Sequence, residues 1–323
     1  MVALKKTVQK FEMSEPATPF AADVLKGLRS TPKRISPKYF YDAAGCALFE
    51  KITELPEYYL TRTELRILED NAAAIAAYIP ANSALVEFGS GSSRKTRILL
   101  GAAPRLAAYV PVDICGQVLE QEAADLREEF PQLEILPITA DFTRPFELPA
   151  SVPATRVGFF PGSTIGNFEP HEAATFLRHT AEILGRGAIL IVGTDLHKDN
   201  RILNAAYNDA AGVTRAFNLN LLTRINRELD GKFDLESFEH HAFYNRERHR
   251  IEMHLASNKR QKVKVANETI EFRAGETIHT ESSYKYSANS FNALARGVGW
   301  TPVASWSDPD HYFCVHALAL RRD

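Results

Sequence analysis

An apolar run, Leu85-Val86, leads through Glu87-Phe88 into Gly89-Ser90-Gly91-Ser92, so a strand ends on a carboxylate and enters a glycine-rich turn. Glycines there let the backbone approach a ligand closely and take angles that a Cβ forbids. The dinucleotide fingerprint G-x-G-x-x-G has a third glycine for tight helix packing beneath a pyrophosphate; here that position is Arg94. Methyl transfer therefore fits the turn better than hydride transfer. A second apolar run, 106–112, ends in Asp113, about 20 residues past the turn, where an acid can accept both hydroxyls of a ribose. A third, 133–138, leads to Asp141-Phe142, a carboxylate and a ring suited to an adenine edge and face. Taken singly, Asp113 and Asp141 also read as caps of the following helix or turn. Their recurrence at successive strand ends favours a ligand, because open α/β sheets bind beyond the carboxyl ends of their strands. Lys95, with Arg94 and Arg97 in a solvated first helical turn, could reach a cofactor carboxylate.

The elements that must position these residues alternate. Residues 61–79 read as a helix, with a capping box of Thr61 and Glu64, an apolar stripe of Leu65, Leu68, Ala72, Ile75 and Ile79, and Pro80 as its stop. Helices follow from Asp113 to about Phe130 and from Pro170 to a stop at Gly185, with strands at 157–160 and 189–192. Such alternation implies a doubly wound, mostly parallel sheet in an α/β fold. From about His197 to Arg273 the pattern turns polar and mixed, including Leu221 to Leu229 and an alternating run from Arg250 to Val265. That span is too long for a crossover and reads as an inserted second region. A helix at 288–298 and a strand at 312–320 return to the sheet. His240, His241, His249 and His254 suggest a metal, but no carboxylate spacing matches His254, and no metal is expected.

The chain has 323 residues, 45% hydrophobic and 24% charged, enough for one elaborated domain or two. Lys+Arg 38 against Asp+Glu 40 leaves −2, with no electrostatic footprint for nucleic acid or an anionic membrane. Cys46, Cys115 and Cys314 are odd in number and widely spaced, as expected of a reducing compartment, and a cytoplasmic location follows. Neither a signal peptide nor a membrane helix is evident, and residues 1 to about 18 read as a loosely held arm.

Three further segments narrow the reading: Tyr39-Phe40-Tyr41-Asp42-Ala43-Ala44-Gly45 with Phe49; Leu55-Pro56-Glu57-Tyr58-Tyr59-Leu60-Thr61-Arg62-Thr63-Glu64; and Gly162-Ser163-Thr164-Ile165-Gly166-Asn167-Phe168. With the 87–91 turn, the chain from about residue 30 to its C-terminus resembles the histidine-specific S-adenosylmethionine-dependent methyltransferases of ergothioneine biosynthesis. The resemblance implies a Rossmann-type methyltransferase core, residues 61–195 and 288–323, and a substrate-binding domain from residues 1–60 and 196–287. It puts the cofactor, S-adenosylmethionine, against Tyr41, Gly89, Gly91, Lys95, Asp113, Asp141, Phe142 and Ser163. It gives the substrate carboxylate to Asn167 and Tyr207, the α-amino group to Tyr41, which would be the catalytic contact, and the imidazole to Tyr58, Glu281 and Ser283. Phe49, Gly162 and Met253 would line the pocket. Within Thr280-Glu281-Ser282-Ser283-Tyr284-Lys285 the family's acid and serine stand two apart, while Ser282 and Tyr284 depart from its pattern.

A neutral imidazole offers one donor and one acceptor, so a carboxylate and a hydroxyl together distinguish it from an apolar ring. The implied reaction is trimethylation of the α-amino group of L-histidine to hercynine, the first step of ergothioneine biosynthesis, by a monomer with a small-molecule substrate. No general base is assigned. Two other enzymes compete: an Nα-methyltransferase for another aromatic amino acid or derivative, which would lack the acid at Glu281, and a nicotinamide-dependent oxidoreductase, disfavoured by Arg94. A non-catalytic S-adenosylmethionine-binding protein would not need Asn167, Tyr207 and Glu281 together.

Overall fold

The computed structural model describes residues 18–91 and 93–320. Ser92 and all of the expected N-terminal arm except Thr18 lie outside the described residues. In chain order the first elements are α1 (Pro19–Arg29), β1 (Lys33–Arg34), α2 (Ala43–Thr53) and α3 (Tyr59–Ala76). An alternating stretch follows: β2 (Ala84–Phe88), α4 (Arg94–Ala102), β3 (Ala108–Asp113), α5 (Gly116–Glu129), β4 (Glu134–Ile135), β5 (Ile138–Thr139), β6 (Arg156–Phe160), α6 (Pro170–Leu184) and β7 (Ile189–Asp195). Next come α7 (Asn200–Ala206), α8 (Val213–Glu228), β8 (Phe238–Asn245), β9 (Arg250–Ser257), β10 (Gln261–Val265), β11 (Glu268–Phe272) and β12 (Thr277–Tyr284). The chain ends in α9 (Ala288–Arg296), β13 (Trp300–Ser307) and β14 (Phe313–Leu320).

The large sheet has the order β13-β14-β7-β6-β2-β3-β4, with β5 also on β3. From β7 to β4 all pairs are parallel; β14 and β13 close one edge antiparallel. This is the doubly wound architecture that the alternation implies, and it puts the ends of β2, β3 and β6 side by side. The expected third strand is broken into β4 and β5 around Leu136-Pro137, where proline has no N–H for the ladder. The strand β13 was not anticipated from the sequence; Pro302 sits at a register shift in it, and the strand lies on the sheet edge.

The first core helix begins earlier than expected, at Tyr59, and no capping box forms. Glu64 is instead fully buried, on the same helix face as Leu60, Ile67 and Leu68, while Leu65 and Ala72 are half-exposed. Tertiary demand for a carboxylate beneath the β6 turn overrides the local pattern.

The region between β7 and α9 is highly structured. The order β1-β12-β9-β8 forms a second sheet, and the alternating run 250–265 divides between this sheet and the β10-β11 hairpin. A hydrophobic core unites Val24, Leu28, Phe40 and Leu60 with Leu203, Phe217, Leu221, Leu255 and Ile278, so the early segment and the insertion share one interior. Cys46 and Cys115, distant in sequence, are neighbours; burial, with the Cys115 thiol beside it, pushes the Cys46 thiol up. Among the described residues no helix is long and apolar enough to cross a membrane.

The two layers meet where the short 3-10 helix Thr164–Asn167 passes over β12. A Cβ at Gly166 would lie 2.7 Å from the carbonyl oxygen of Tyr284 and 3.2 Å from its nitrogen. Gly166→Ala is expected to cost about 1–3 kcal/mol through overpacking against immobile backbone. A thermal melt would register this as a fall of several degrees in Tm, and an unchanged Tm would mean that β12 yields at that point.

Candidate active site

At the tip of β2, Glu87 points inward, where its carboxylate accepts hydrogen bonds from Thr96 at 2.7 Å and from Tyr109. Burial raises its pKa to about 7 against those two donors. The acid that ends this strand therefore braces the turn by holding α4 to β3. Gly89 has φ +78°, and a Cβ on it would meet the Phe142 ring at 3.3 Å, so the ring lies directly over the turn. Gly91 is exposed with open space where its Cβ would be, and no internal packing demands a glycine there. Asp113 is half-buried at the end of β3 and accepts a backbone bond from Cys115 at 2.8 Å; burial raises its pKa against the backbone N–H groups of Cys115 and Ile114. Burial also raises that of Asp141, but the Thr143 hydroxyl and the Lys38 ammonium at 3.2 Å outweigh it and hold the carboxyl low. Lys38 comes from the segment before α2, which thereby reaches across to the β5 end of the large sheet.

Two residues at the β6 turn take left-handed backbone angles, Gly162 at φ +78° and Ser163 at φ +58°. For serine this conformation is strained and needs external support. Glu64 provides it: its carboxylate accepts the Gly162 N–H at 2.8 Å and pairs with the Lys95 ammonium at 2.7 Å. Ser163 Oγ accepts the Asp195 N–H at 2.9 Å, which leaves the serine proton free to donate. Lys95, expected to extend to a cofactor, is thus anchored on Glu64.

The opposite wall is built on β12. Its pairing with β9 shifts register between His279 and Glu281, where Thr280 is buried and its hydroxyl reaches Asn218 and the Met253 carbonyl. A bulge of this kind re-aims the side chains that follow. His279 pairs with His254, but Glu281 pairs with Met253 and Ser283 with Ile251, so Glu281, Ser283 and Met253 share one face. Glu281 is buried and accepts no hydrogen bond among the described residues; burial raises its pKa to about 7, with Lys285 opposing. Ser283 Oγ accepts from the Tyr207 hydroxyl at 2.8 Å and from the Lys285 ammonium at 2.9 Å. Tyr207 and Ser283, expected at opposite ends of a substrate, are therefore directly bonded.

An aromatic file runs across the site. Ring centroids are 5.8 Å apart for Tyr41 and Phe49, 6.4 Å for Phe49 and Tyr58, and 6.3 Å for Tyr58 and Tyr207. Phe217 of α8, not anticipated from the sequence, packs on Tyr41 at 5.9 Å and on Phe49 at 6.0 Å. Asp42 fixes this corner by capping α2 through Gly45 and accepting from Asn220 at 2.8 Å and Arg227 at 2.6 Å. Burial, with Glu281 among the nearby charges, pushes the phenols of Tyr41, Tyr58 and Tyr207 well up, so all three stay protonated at neutral pH. The charge of Asp113 also raises the Tyr41 phenol, after burial and Glu281. Asn167 is half-buried, and its amide makes no side-chain hydrogen bond among the described residues.

Asp195, Lys198, Lys285 and Tyr59 were also unanticipated, because each is an ordinary residue in its own segment. On the far face of β9 and β12 a carboxylate does accompany His254: Glu252 Oε2 lies 3.2 Å from its Nε2, and His279 completes a group within 4.8 Å. Same-strand spacing of two residues supplies this match, contrary to the expectation of none. Arg250 at 2.8 Å and Asn245 at 3.0 Å already engage the other oxygen of Glu252.

Because Glu281 has a pKa near 7 in the fold against 4.5 in an exposed glutamate, the folded state holds its proton more tightly. Its contribution to stability is therefore full below about pH 4.5 and is lost as pH rises through 7, by on the order of 2–3 kcal/mol. Glu281→Gln cannot ionise and is expected to gain Tm relative to the parent at pH 8 but not at pH 5. Ligand-free melts at both pH values check this, and an equal difference at the two would remove Glu281 ionisation as the cause.

Comparison with known sequences shows the family. The profile of the family described as histidine-specific methyltransferase, SAM-dependent, matches residues 20–320. A histidine N-alpha-methyltransferase of Mycolicibacterium smegmatis is 44% identical over 306 residues, covering 93% of this chain and 94% of its own. Its counterpart from Mycobacterium tuberculosis is 42% identical, covering 88% of this chain and 90% of its own. Ergothioneine biosynthesis protein 1 of Neurospora crassa is 31% identical over 90% of this chain, which spans 34% of that longer protein. The strand-tip turn, the supported β6 loop and the acid–serine face of β12 are thus features of a chain that belongs to the S-adenosylmethionine-dependent, histidine-specific methyltransferase family.

Proposed function

We propose that this protein transfers methyl groups from S-adenosylmethionine to the α-amino nitrogen of L-histidine, in three rounds, giving hercynine for ergothioneine biosynthesis. One observation carries the substrate: Glu281, a buried carboxylate with no hydrogen-bond partner among the described residues, stands beside Ser283 on one face of β12. A buried unpaired carboxylate is costly unless a ligand donor completes it. An imidazole N–H completes Glu281 while the ring's second nitrogen takes the Ser283 proton. A phenyl or indole ring leaves one or both unpaired.

The residues at the strand tips fit the methyl donor. The Phe142 ring over Gly89 offers an adenine face, and Asp113, with only backbone donors on its carboxylate, has lone pairs for a ribose. Gly91 and Lys95 flank that turn, Asp141 would take the adenine edge, and Ser163 the amino acid portion. When bound, S-adenosylmethionine supplies a methyl group already activated on a sulfonium. What remains for the chain is positioning. Tyr41, a phenol on which both Glu281 and Asp113 act, would hold the amine, which must shed a proton before each transfer to expose its lone pair. As a protonated phenol it orients the nitrogen and does not take the proton. Tyr41 and Phe49 would face the growing ammonium head with their rings. Asn167, with its free amide, would take the substrate carboxylate together with Tyr207; Tyr58, Gly162 and Met253 would close the pocket. In this reading residues 1–60 and 196–287 serve the substrate, and residues 61–195 and 288–323 serve the methyl donor.

Incubating the protein with S-adenosylmethionine and histidine should give mono-, di- and trimethylhistidine by mass spectrometry; methylation of another amine in place of histidine would defeat the substrate assignment. Asp113→Ala should weaken S-adenosylhomocysteine binding by roughly 1.5–3 kcal/mol, the scale of hydrogen bonds to a charged group. Unchanged affinity in calorimetry would take Asp113 out of the cofactor site.

A further inference from the structure

Lys285 lies beyond the end of β12, two residues after Ser283 and four after Glu281, and its ammonium is fully buried. An ammonium has three N–H donors and no acceptor. All three are committed: to Asp195 Oδ2 at 2.7 Å, to Ser283 Oγ at 2.9 Å and to Tyr207 Oη at 3.2 Å. Asp195 is itself fully buried at the end of β7 and accepts further bonds from Tyr59 at 2.7 Å and from Lys198. The ammonium is therefore fixed from below and points at two hydroxyls.

This arrangement sets the direction of the hydroxyl protons. Ser283 Oγ has two lone pairs; Lys285 takes one and the Tyr207 phenol, 2.8 Å away, takes the other. The phenol is the stronger acid of the two hydroxyls and so the better donor. With both lone pairs occupied, Ser283 can meet a ligand only as a donor. The Tyr207 oxygen also receives an N–H from Lys285; its one phenol proton serves either Ser283 or a substrate carboxylate, and Lys285 keeps its hold on Ser283 in both cases. Two positions along the same face, Glu281 offers only acceptor oxygens when ionised, and Lys285 favours that ionised form.

We propose that Lys285 is a specificity-determining positioning residue: braced on Asp195, it holds the Ser283 proton toward the pocket, so that Ser283 and Glu281 present one donor and one acceptor matched to a single tautomer of a neutral imidazole. This rests on the histidine reading above. Lys285 does not touch the substrate; it acts through Ser283 and Tyr207.

A double-mutant cycle separates this role from a structural one. Histidine kinetics at saturating S-adenosylmethionine would be measured for the parent, Lys285→Met, Ser283→Ala and the double variant, with S-adenosylhomocysteine affinity as a control for the folded site. Each single variant should raise KM for histidine about 10-fold, the scale of one hydrogen bond to a charged or polar partner, with kcat changed far less. The double variant should lose clearly less than the product of the two single losses, because without the serine hydroxyl Lys285 keeps only its bond to Tyr207. Losses that multiply, or a fall in kcat at unchanged KM, would overturn the proposal. Should Lys285→Met fail to bind S-adenosylhomocysteine, Lys285→Gln replaces it: it keeps a donor for Ser283 and should hold KM for histidine within about 3-fold of the parent, and a KM raised as far as in Ser283→Ala would overturn the proposal. If the parent protein methylates some amine but not histidine, the functional reading fails, and the cycle is then read on the accepted amine, where coupling between the two sites would still uphold the aiming role of Lys285 and its absence would overturn it.

Discussion

The carboxylate of Asp195 is the point on which the two halves of the molecule depend. It is fully buried at the last residue of β7, where an isolated charge would be very costly. Burial raises its pKa, but Lys285 and Lys198 outweigh that and keep it ionised. Its backbone is equally committed: the N–H goes to Ser163 Oγ and the carbonyl accepts from Tyr286 at 2.9 Å. One residue therefore joins the large sheet to the β6 turn, to the end of β12 and to the start of α3. Removing one partner from a buried charge group of this kind typically costs about 3–5 kcal/mol. The second ammonium lowers nothing in that demand; burial brings the pKa of Lys198 down to about 8, so the cluster holds most of its charge at neutral pH.

Around this hub the molecule repeats one device, an internal carboxylate that supports a loop so that other side chains can face a ligand. Glu87 braces the glycine turn through Thr96 and Tyr109, and Glu64 supports the strained β6 turn through the Gly162 N–H while holding Lys95. A Cβ at Gly193 would come within 2.2 Å of Glu64 Oε1, which explains why β7 carries a glycine where it passes that carboxylate. Glu281 differs in having no internal hydrogen-bond donor among the described residues, and that contrast supports its proposed place against the substrate. The bulge at Thr280 decides which face of β12 it joins, since a one-residue shift moves every later side chain to the other side.

The resemblance carried further than the local patterns. Alternation of apolar runs and amphipathic stretches was enough for the parallel sheet, because buried parallel strands and their crossover helices differ in period. The placement of Asp113, Asp141 and Phe142 at or just past strand ends was legible because it follows directly from that topology, and their ligand role stays part of the proposal. Glu64 was misread: Thr61 and Glu64 have the spacing of a capping box, yet helix α3 starts at Tyr59 and the acid is drawn into the interior by the Gly162 N–H and Lys95. His254 was misjudged for a related reason, since Glu252 shares its strand face only once the residues lie in an extended strand.

By itself the sequence determined the alternating α/β core, the position of its glycine turn and the acids at its strand tips, because each depends on residues close together in the chain. Through family likeness it also marked Glu281 and Ser283 as a pair two residues apart. It could not determine which hydroxyl proton points where, which carboxylates are internal braces, or that Phe217 completes the aromatic wall. Those depend on contacts such as Lys285 with Asp195, and Tyr207 with Ser283, between segments far apart in the chain. Only the packed interior, where every donor must find an acceptor away from water, decides them.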